Sequence, residues 1–465
     1  MNTKIIYKIV GLLLFSLCLL VSCELFNPLN YNNSESNLPE GSFWALNLKT
    51  NKPYKVEAQL FYKGNHCIIY VDKALSGTGK SVSLDTAKAI ADEYDNTIHG
   101  LVTGSFGEFK DVDDNGKVTF LLLDIQDGYD PKTSSGYTGG FFYSQDMYDA
   151  DLYKYSNEAD MLYLDVYPQV PNSSAFYSTM AHELQHLVEF SQTTSKGKSP
   201  KDIWLNEGLS TGAEYLYGKT INNIDPNRRV LTYLLSELAP SGNNFFCWDS
   251  SPTSNALVDY ATVYLFFQWL RIHSDNGAGI YKNIINKNTS AGHSDVVAAI
   301  NDNFGKYDAP SLDWETVLAS WLLSNKNYQG KGLVGYGADS SFTEFLSTTM
   351  SGKSMSQLVP SYTVRRAINL RPGEGVFWDY NGLTNPENKG NIVYDKSLTN
   401  LLLAYNKNIS LYGGQEGASL PPSAPFIPAP SVSASRSLEG SQSSELYEVL
   451  KDVPLDWKTL TSRKE

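Results

Sequence analysis

Short alternating runs dominate the first stretch of the chain, and longer stretches of helical spacing follow them. Between residues 42 and 73, Tyr54-Lys55-Val56-Glu57-Ala58-Gln59-Leu60-Phe61-Tyr62 and Cys67-Ile68-Ile69-Tyr70-Val71 carry the near period-two pattern of strands. Over 83–99, Asp85 stands near the start and Ala87, Ile90, Ala91, Tyr94 and Ile98 recur at the spacing of an amphipathic helix. Strands are expected again at 118–124 and 160–167, and helices at 175–190, 202–217 and 257–273. The order predicts an α+β fold, with a mixed N-terminal sheet, one helix entered directly from a strand, and a mainly helical second lobe. The Gly-rich segment 330–337 marks a boundary, followed by mixed strand-like stretches to Tyr412. No internal repeat is present.

The ends of the chain read differently. Lys4 and Lys8 precede an apolar run over 9–21 and then Leu20-Val21-Ser22-Cys23, the pattern of an export signal with a lipobox. The run is shorter than the roughly 18–20 residues of a membrane span. The expected organisation is a signal peptide at 1–22, a flexible tether at 23–41, a folded main body at 42–328 and a mixed or β region at 329–415. A Pro/Ser-rich disordered linker at 416–445 and a short tail at 446–465 complete it. Cys23 would carry lipid and anchor an exported protein to a membrane, on its periplasmic face or at the cell surface.

Composition narrows the partners. The 465 residues are 42% apolar and 12% aromatic, ample for a packed core. Fifty acidic against 37 basic residues give a net charge of −13, with no Lys/Arg block to track a phosphate backbone, so nucleic acid is not an expected partner. Cys18 leaves with the signal peptide, and Cys67 and Cys247 remain to pair or to stay free.

The chemistry is concentrated in Ala181-His182-Glu183-Leu184-Gln185-His186, an H-E-x-x-H pattern within the 175–190 helix. Positions i and i+4 share one helix face, so His182 and His186 can reach one zinc ion, and Glu183 is placed to activate water. A catalytic zinc takes three protein ligands and keeps one open position. Glu207, in Trp204-Leu205-Asn206-Glu207-Gly208-Leu209-Ser210, is the strongest candidate for the third. Glu214 falls on the same helix side, seven residues on, where it can hydrogen-bond an imidazole N–H behind the metal.

These two segments together resemble the gluzincin metallopeptidases, most of all the hyicolysin-type family. The resemblance covers about residues 56–323. It implies a zincin-like fold, zinc on His182, His186 and Glu207, Glu183 as general base and then general acid, and a protein or peptide substrate. The Leu-Asn-Glu-Gly run is also similar to zinc aminopeptidases of the aminopeptidase N type. The Gly-x-Met-Glu-Asn segment with which those enzymes fix a free amine is absent here, so an endopeptidase is the better expectation. In the related families a downstream Tyr or His stabilises the oxyanion, which points to Tyr260 here, with Tyr264 in reserve. The strand 161–167 is expected to present a sheet edge to substrate, with Tyr163, Asp165 and Tyr167 on its polar face.

A second candidate cation site is Asp111-Val112-Asp113-Asp114-Asn115-Gly116, whose D-x-D-x-N-G spacing gathers the oxygens that calcium requires through Asp111, Asp113 and Asn115. The loop is incomplete as an EF-hand because Leu122 occupies the twelfth position, so another carboxylate, such as Asp124 or Asp127, has to join. A turn of Asp, Asn and Gly also forms without metal. The competing functional readings are a binding or adhesin lipoprotein that keeps the fold, an aminopeptidase, and a zinc hydrolase acting on something other than peptides.

Overall fold

A computed structural model of the chain describes residues 40–409, apart from 133–136, 236–245, 247–255, 290, 308–310, 349–354, 356–358, 360, 363–371, 380–387, 389–390 and 396. The signal peptide, Cys23, nearly all of the tether, the Pro/Ser-rich linker, the tail and Cys247 lie outside the described residues. Among those described, no helix is long and apolar enough to cross a membrane.

The strands are β1 (Glu40–Asn47), β2 (Lys52–Lys63), β3 (Cys67–Asp72), β4 (Val118–Leu123), β5 (Gly140–Phe142) and β6 (Met161–Asp165), in one sheet ordered β1-β2-β3-β4-β6-β5. It is mixed: β3, β4 and β6 run parallel, while β2 on β3 and β5 on β6 are antiparallel. β4, Val118-Thr119-Phe120-Leu121-Leu122-Leu123, is buried at every position, as a parallel strand covered on both faces must be. Its apolar run, broken only by Thr119, is the cause.

Between the strands lie α1 (Leu84–Glu93) and α2 (His99–Phe106), joined by a π-helical turn at Tyr94–Ile98. Ser83 caps α1 by accepting from the Thr86 amide. After the sheet come α3 (Ser174–Gln192), α4 (Ile203–Thr220), α5 (Arg229–Leu235), α6 (Ala256–His273), α7 (Gly279–Asn286), α8 (Gly292–Asn303), α9 (Trp314–Lys326) and α10 (Ser340–Ser347). The class is α+β, a mixed sheet followed by a mainly helical region. A second sheet, β7 (Ser361–Tyr362), β8 (Gly375–Asp379), β9 (Ile392–Asp395) and β10 (Leu401–Asn406), is ordered β7-β8-β10-β9. It is tied to α9, where Lys407 just past β10 pairs with Glu315 at 2.8 Å.

β6 is not an edge strand, contrary to the expectation for 161–167. It lies between β4 and β5 and is buried throughout. Met161 and Tyr163 join the core built by Ala45, Val56, Ala58 and Leu121, and α3 lies across β5 and β6. The supposed polar face is used internally. Tyr163 donates to Asp146, Asp165 accepts from the amides of Ile125 and Gln169, and only Tyr167 is exposed, beneath the Lys80 ammonium. The terminal strand on this side is the three-residue β5, too short to stand out in a hydrophobicity pattern.

Candidate metal centre

α3 carries the H-E-x-x-H segment, and its N-terminus is fixed by Ser173, whose hydroxyl accepts from the Phe176 amide. The helix is buried from Phe176 to Ser191, so His182, Glu183 and His186 leave water with it and need partners. α4 supplies them. It packs against α3, and its own position is set on the far side by α6: a Cβ on Gly208 would lie 2.1 Å from a ring carbon of Phe267. The glycine after Glu207 is therefore a packing requirement, because it lets α6 press close enough to fix the height of Glu207.

The structure brings His182, His186 and Glu207 together, with one donor atom from each within 4.8 Å of the others. Glu207 Oε2 is 3.2 Å from His182 Nε2 and 3.5 Å from His186 Nε2. Tetrahedral zinc with bonds of about 2.0–2.1 Å sets neighbouring donors roughly 3.3–3.4 Å apart, so both Glu207 distances fit that ion. The other ring nitrogens are occupied. His182 Nδ1 is 2.7 Å from Glu214 Oε1, and His186 Nδ1 is 3.1 Å from both Asn206 Oδ1 and Ser210 Oγ. Each ring is thus held so that Nε2 faces Glu207.

Charges follow this geometry. Burial alone would raise the Glu207 carboxyl, but the His186 charge and hydrogen bonds from both imidazoles bring it down to about 2. Burial would likewise raise Glu214, and the Arg229 guanidinium and His182 hold it at about 2. Glu183 behaves oppositely. Burial lifts its carboxyl above the usual range, only partly offset by His182 and His186. One oxygen takes the Phe142 amide of β5, and Oε2, fully buried, has no hydrogen-bond partner among the described residues.

The two tyrosines separate. Tyr264 donates to the Ile224 carbonyl and is spent on structure. Tyr260 is fully buried with its ring 5.9 Å from that of His182, and Glu207 lies within its reach. Burial first, then the Glu207 charge, raise its hydroxyl well above the ordinary value, so Tyr260 keeps its proton and can donate it.

No protein-family model matches the chain. The neutral metalloprotease ShpI of Staphylococcus hyicus is similar to it, 31% identical over 306 residues, spanning 63% of this chain and 64% of that protein. This chain is a sequence relative of a neutral metalloprotease. The family resemblance drawn from the two motifs agrees with that finding, and the match spans slightly less than two thirds of the relative's length. Two crystal structures of an M1 zinc metallopeptidase from Deinococcus radiodurans, one of a point mutant, are 14% identical and cover 61% and 70% of this chain, and 52% and 53% of their own. Their TM-scores are 0.29 and 0.25.

Several residues around the cluster carry little or no signal in the sequence. Asn206 and Ser210, which hold His186, flank Glu207 and lie one helical turn apart, so the i, i+4 rule applied to α4 could have found them. Arg229 had no such signal. It reaches Glu214 from the start of α5 through Nε at 2.9 Å and Nη2 at 2.5 Å, with its guanidinium 4.6 Å above the Tyr260 ring. The third carboxylate expected beside Asp111 and Asp113 also differs. Asp124 pairs with Lys80 and Asp127 accepts from the amides of Tyr129 and Thr138, so neither is available; Asp160 stands there instead.

Proposed function

We propose that this protein is a zinc-dependent endopeptidase, with His182, His186 and Glu207 as ligands and Glu183 as general base and acid. The carrying observation is that the Glu207 oxygen lies at tetrahedral-ligand spacing from both imidazole nitrogens, beside a buried Glu183 oxygen with no partner among the described residues. A zinc ion in that set supplies a Lewis acid for the scissile carbonyl and brings the pKa of water from about 15.7 toward about 7.

The chain's own groups do the rest. Glu183, with its raised carboxyl, takes the proton of the attacking water and delivers it to the leaving amine. Tyr260 donates to the carbonyl oxygen as negative charge builds there. β5 is the terminal strand beside Glu183, with a Cβ on Gly140 falling 3.1 Å from Glu183 Cγ, so an extended peptide aligns along β5, and not β6. The relative's name, a metalloprotease, supports a protein substrate.

The test is a mass-spectrometric product profile of the zinc-loaded chain on an unfolded protein and on N-blocked peptides. Internal cleavage and hydrolysis of the blocked peptides are expected; cleavage of free N-termini alone would mean an aminopeptidase, and no cleavage with zinc bound would mean a binding protein. The same spectra of membrane-extracted protein check the proposed lipid on Cys23, which an unmodified N-terminus would exclude. Tyr260→Phe is expected to lower kcat by about 10²–10³ with zinc content unchanged. An unchanged kcat removes Tyr260 from the reaction.

A further inference from the structure

Far along the sequence from the zinc ligands, the loop between α2 and β4 meets the start of β6. Carboxylate oxygens of Asp111, Asp113 and Asp160 lie within 4.8 Å of one another. Within the loop, Asp111 accepts from the amides of Asn115 and Gly116, and Asp113 from the Asn115 side chain, contacts that a bare Asx turn also makes. Asp160 is different. It is 1% exposed and comes from the residue before β6; its Oδ1 accepts from the Val112 amide, while Oδ2 is buried with no hydrogen-bond partner among the described residues. The nearby Lys117 does not neutralise the group, because its ammonium donates to the carbonyls of Gly64 and Asn65.

A buried carboxylate oxygen without a donor is costly, and two further carboxylates beside it add repulsion. We propose that Asp111, Asp113 and Asp160 bind one calcium ion, which pins the 107–117 loop to the start of β6. The donors are all oxygen, with no imidazole or thiolate among them, which favours a hard cation over zinc or copper. Oxygens within 4.8 Å of one another suit a cation with bonds of 2.3–2.6 Å, and an irregular loop suits calcium better than the strict octahedron of magnesium. Carbonyls and water complete the shell. The proposal is independent of the peptidase reading, and its test uses no hydrolysis.

The full zinc-loaded chain, freed of calcium with a calcium-selective chelator, is titrated with calcium chloride by calorimetry and melted with and without the ion. Wild type is expected to bind one calcium with a Kd of about 10⁻⁴–10⁻³ M or tighter, and its Tm to rise with calcium by mass action. Asp160→Asn is expected to weaken binding by about tenfold or more. Its calcium-free Tm should equal or exceed that of wild type, because the orphaned charge is gone. Asp113→Asn, at the exposed member of the cluster, gives the same loss of binding should the Asp160 variant not fold. No calcium-dependent shift in wild type, or binding undiminished in both variants, overturns the site; an equal response to magnesium chloride overturns the choice of calcium.

Discussion

Glu183→Gln is expected to lower kcat for peptide hydrolysis by about 10²–10⁴-fold while the protein still binds one zinc per chain and melts no lower than wild type. The amide keeps the side chain's size at a 2% exposed position and keeps an oxygen for the Phe142 amide. What it loses is the ability to take a proton. Stability should not suffer, because burial already disfavours the charged form of Glu183 and the amide removes that penalty. The measurement combines steady-state kinetics on a blocked peptide, zinc content by elemental analysis, and a thermal melt. Activity within a few-fold of wild type would place the base elsewhere; a lost zinc ion or a lowered Tm would make Glu183 a structural residue instead.

Arg229→Met is expected to destabilise the fold by about 3–5 kcal/mol and to weaken zinc binding by about 10–100-fold, through Glu214, which Arg229 holds against His182. Arg229 and Glu214 are both 1% exposed, and the guanidinium is the positive partner that keeps the carboxylate ionised against burial. Without it, Glu214 is a buried charge held by His182 alone and turns or takes up a proton. The N–H acceptor that fixes His182 is then lost. Denaturant unfolding and competitive zinc chelation measure the two effects. Combining Arg229→Met with Glu214→Gln should recover much of the stability, since the double variant leaves no unpaired charge. A single-variant cost within about 0.5 kcal/mol, the size of an ordinary surface change, would refute the coupling.

How much of the centre was legible follows from how local each relation is. His182 and His186 share a helix face because the α-helix returns every 3.6 residues, so their pairing is written in spacing alone. Glu207 and Glu214 were legible by the same rule within α4, but their meeting with His182 depends on the α3–α4 contact, to which Gly208 contributes by yielding its own side-chain volume to Phe267. Tyr260 and Tyr264 stand one turn apart on α6, and spacing from Glu207 favoured Tyr260 only narrowly; that Tyr264 is spent on the Ile224 carbonyl, from another segment, was not legible in sequence. Asp160 stood in the sequence as the first residue of a strand, and nothing local tied it to Asp111, 49 positions earlier.

The sequence by itself determined the elements: the alternating and continuous runs of the sheet, the helical spacing of α3, α4 and α6, and the residue types capable of zinc and calcium chemistry. These depend on the backbone's own periods and on side-chain chemistry, which neighbours in sequence suffice to express. The tertiary structure alone decided which strand ends the sheet, because β6 is flanked by β4 and a β5 too short to announce itself. It alone brought Arg229 to Glu214 and Asp160 to the acidic loop. Those are contacts between groups far apart along the chain, and burial selects them: a polar atom removed from water has to find a partner wherever packing has put one.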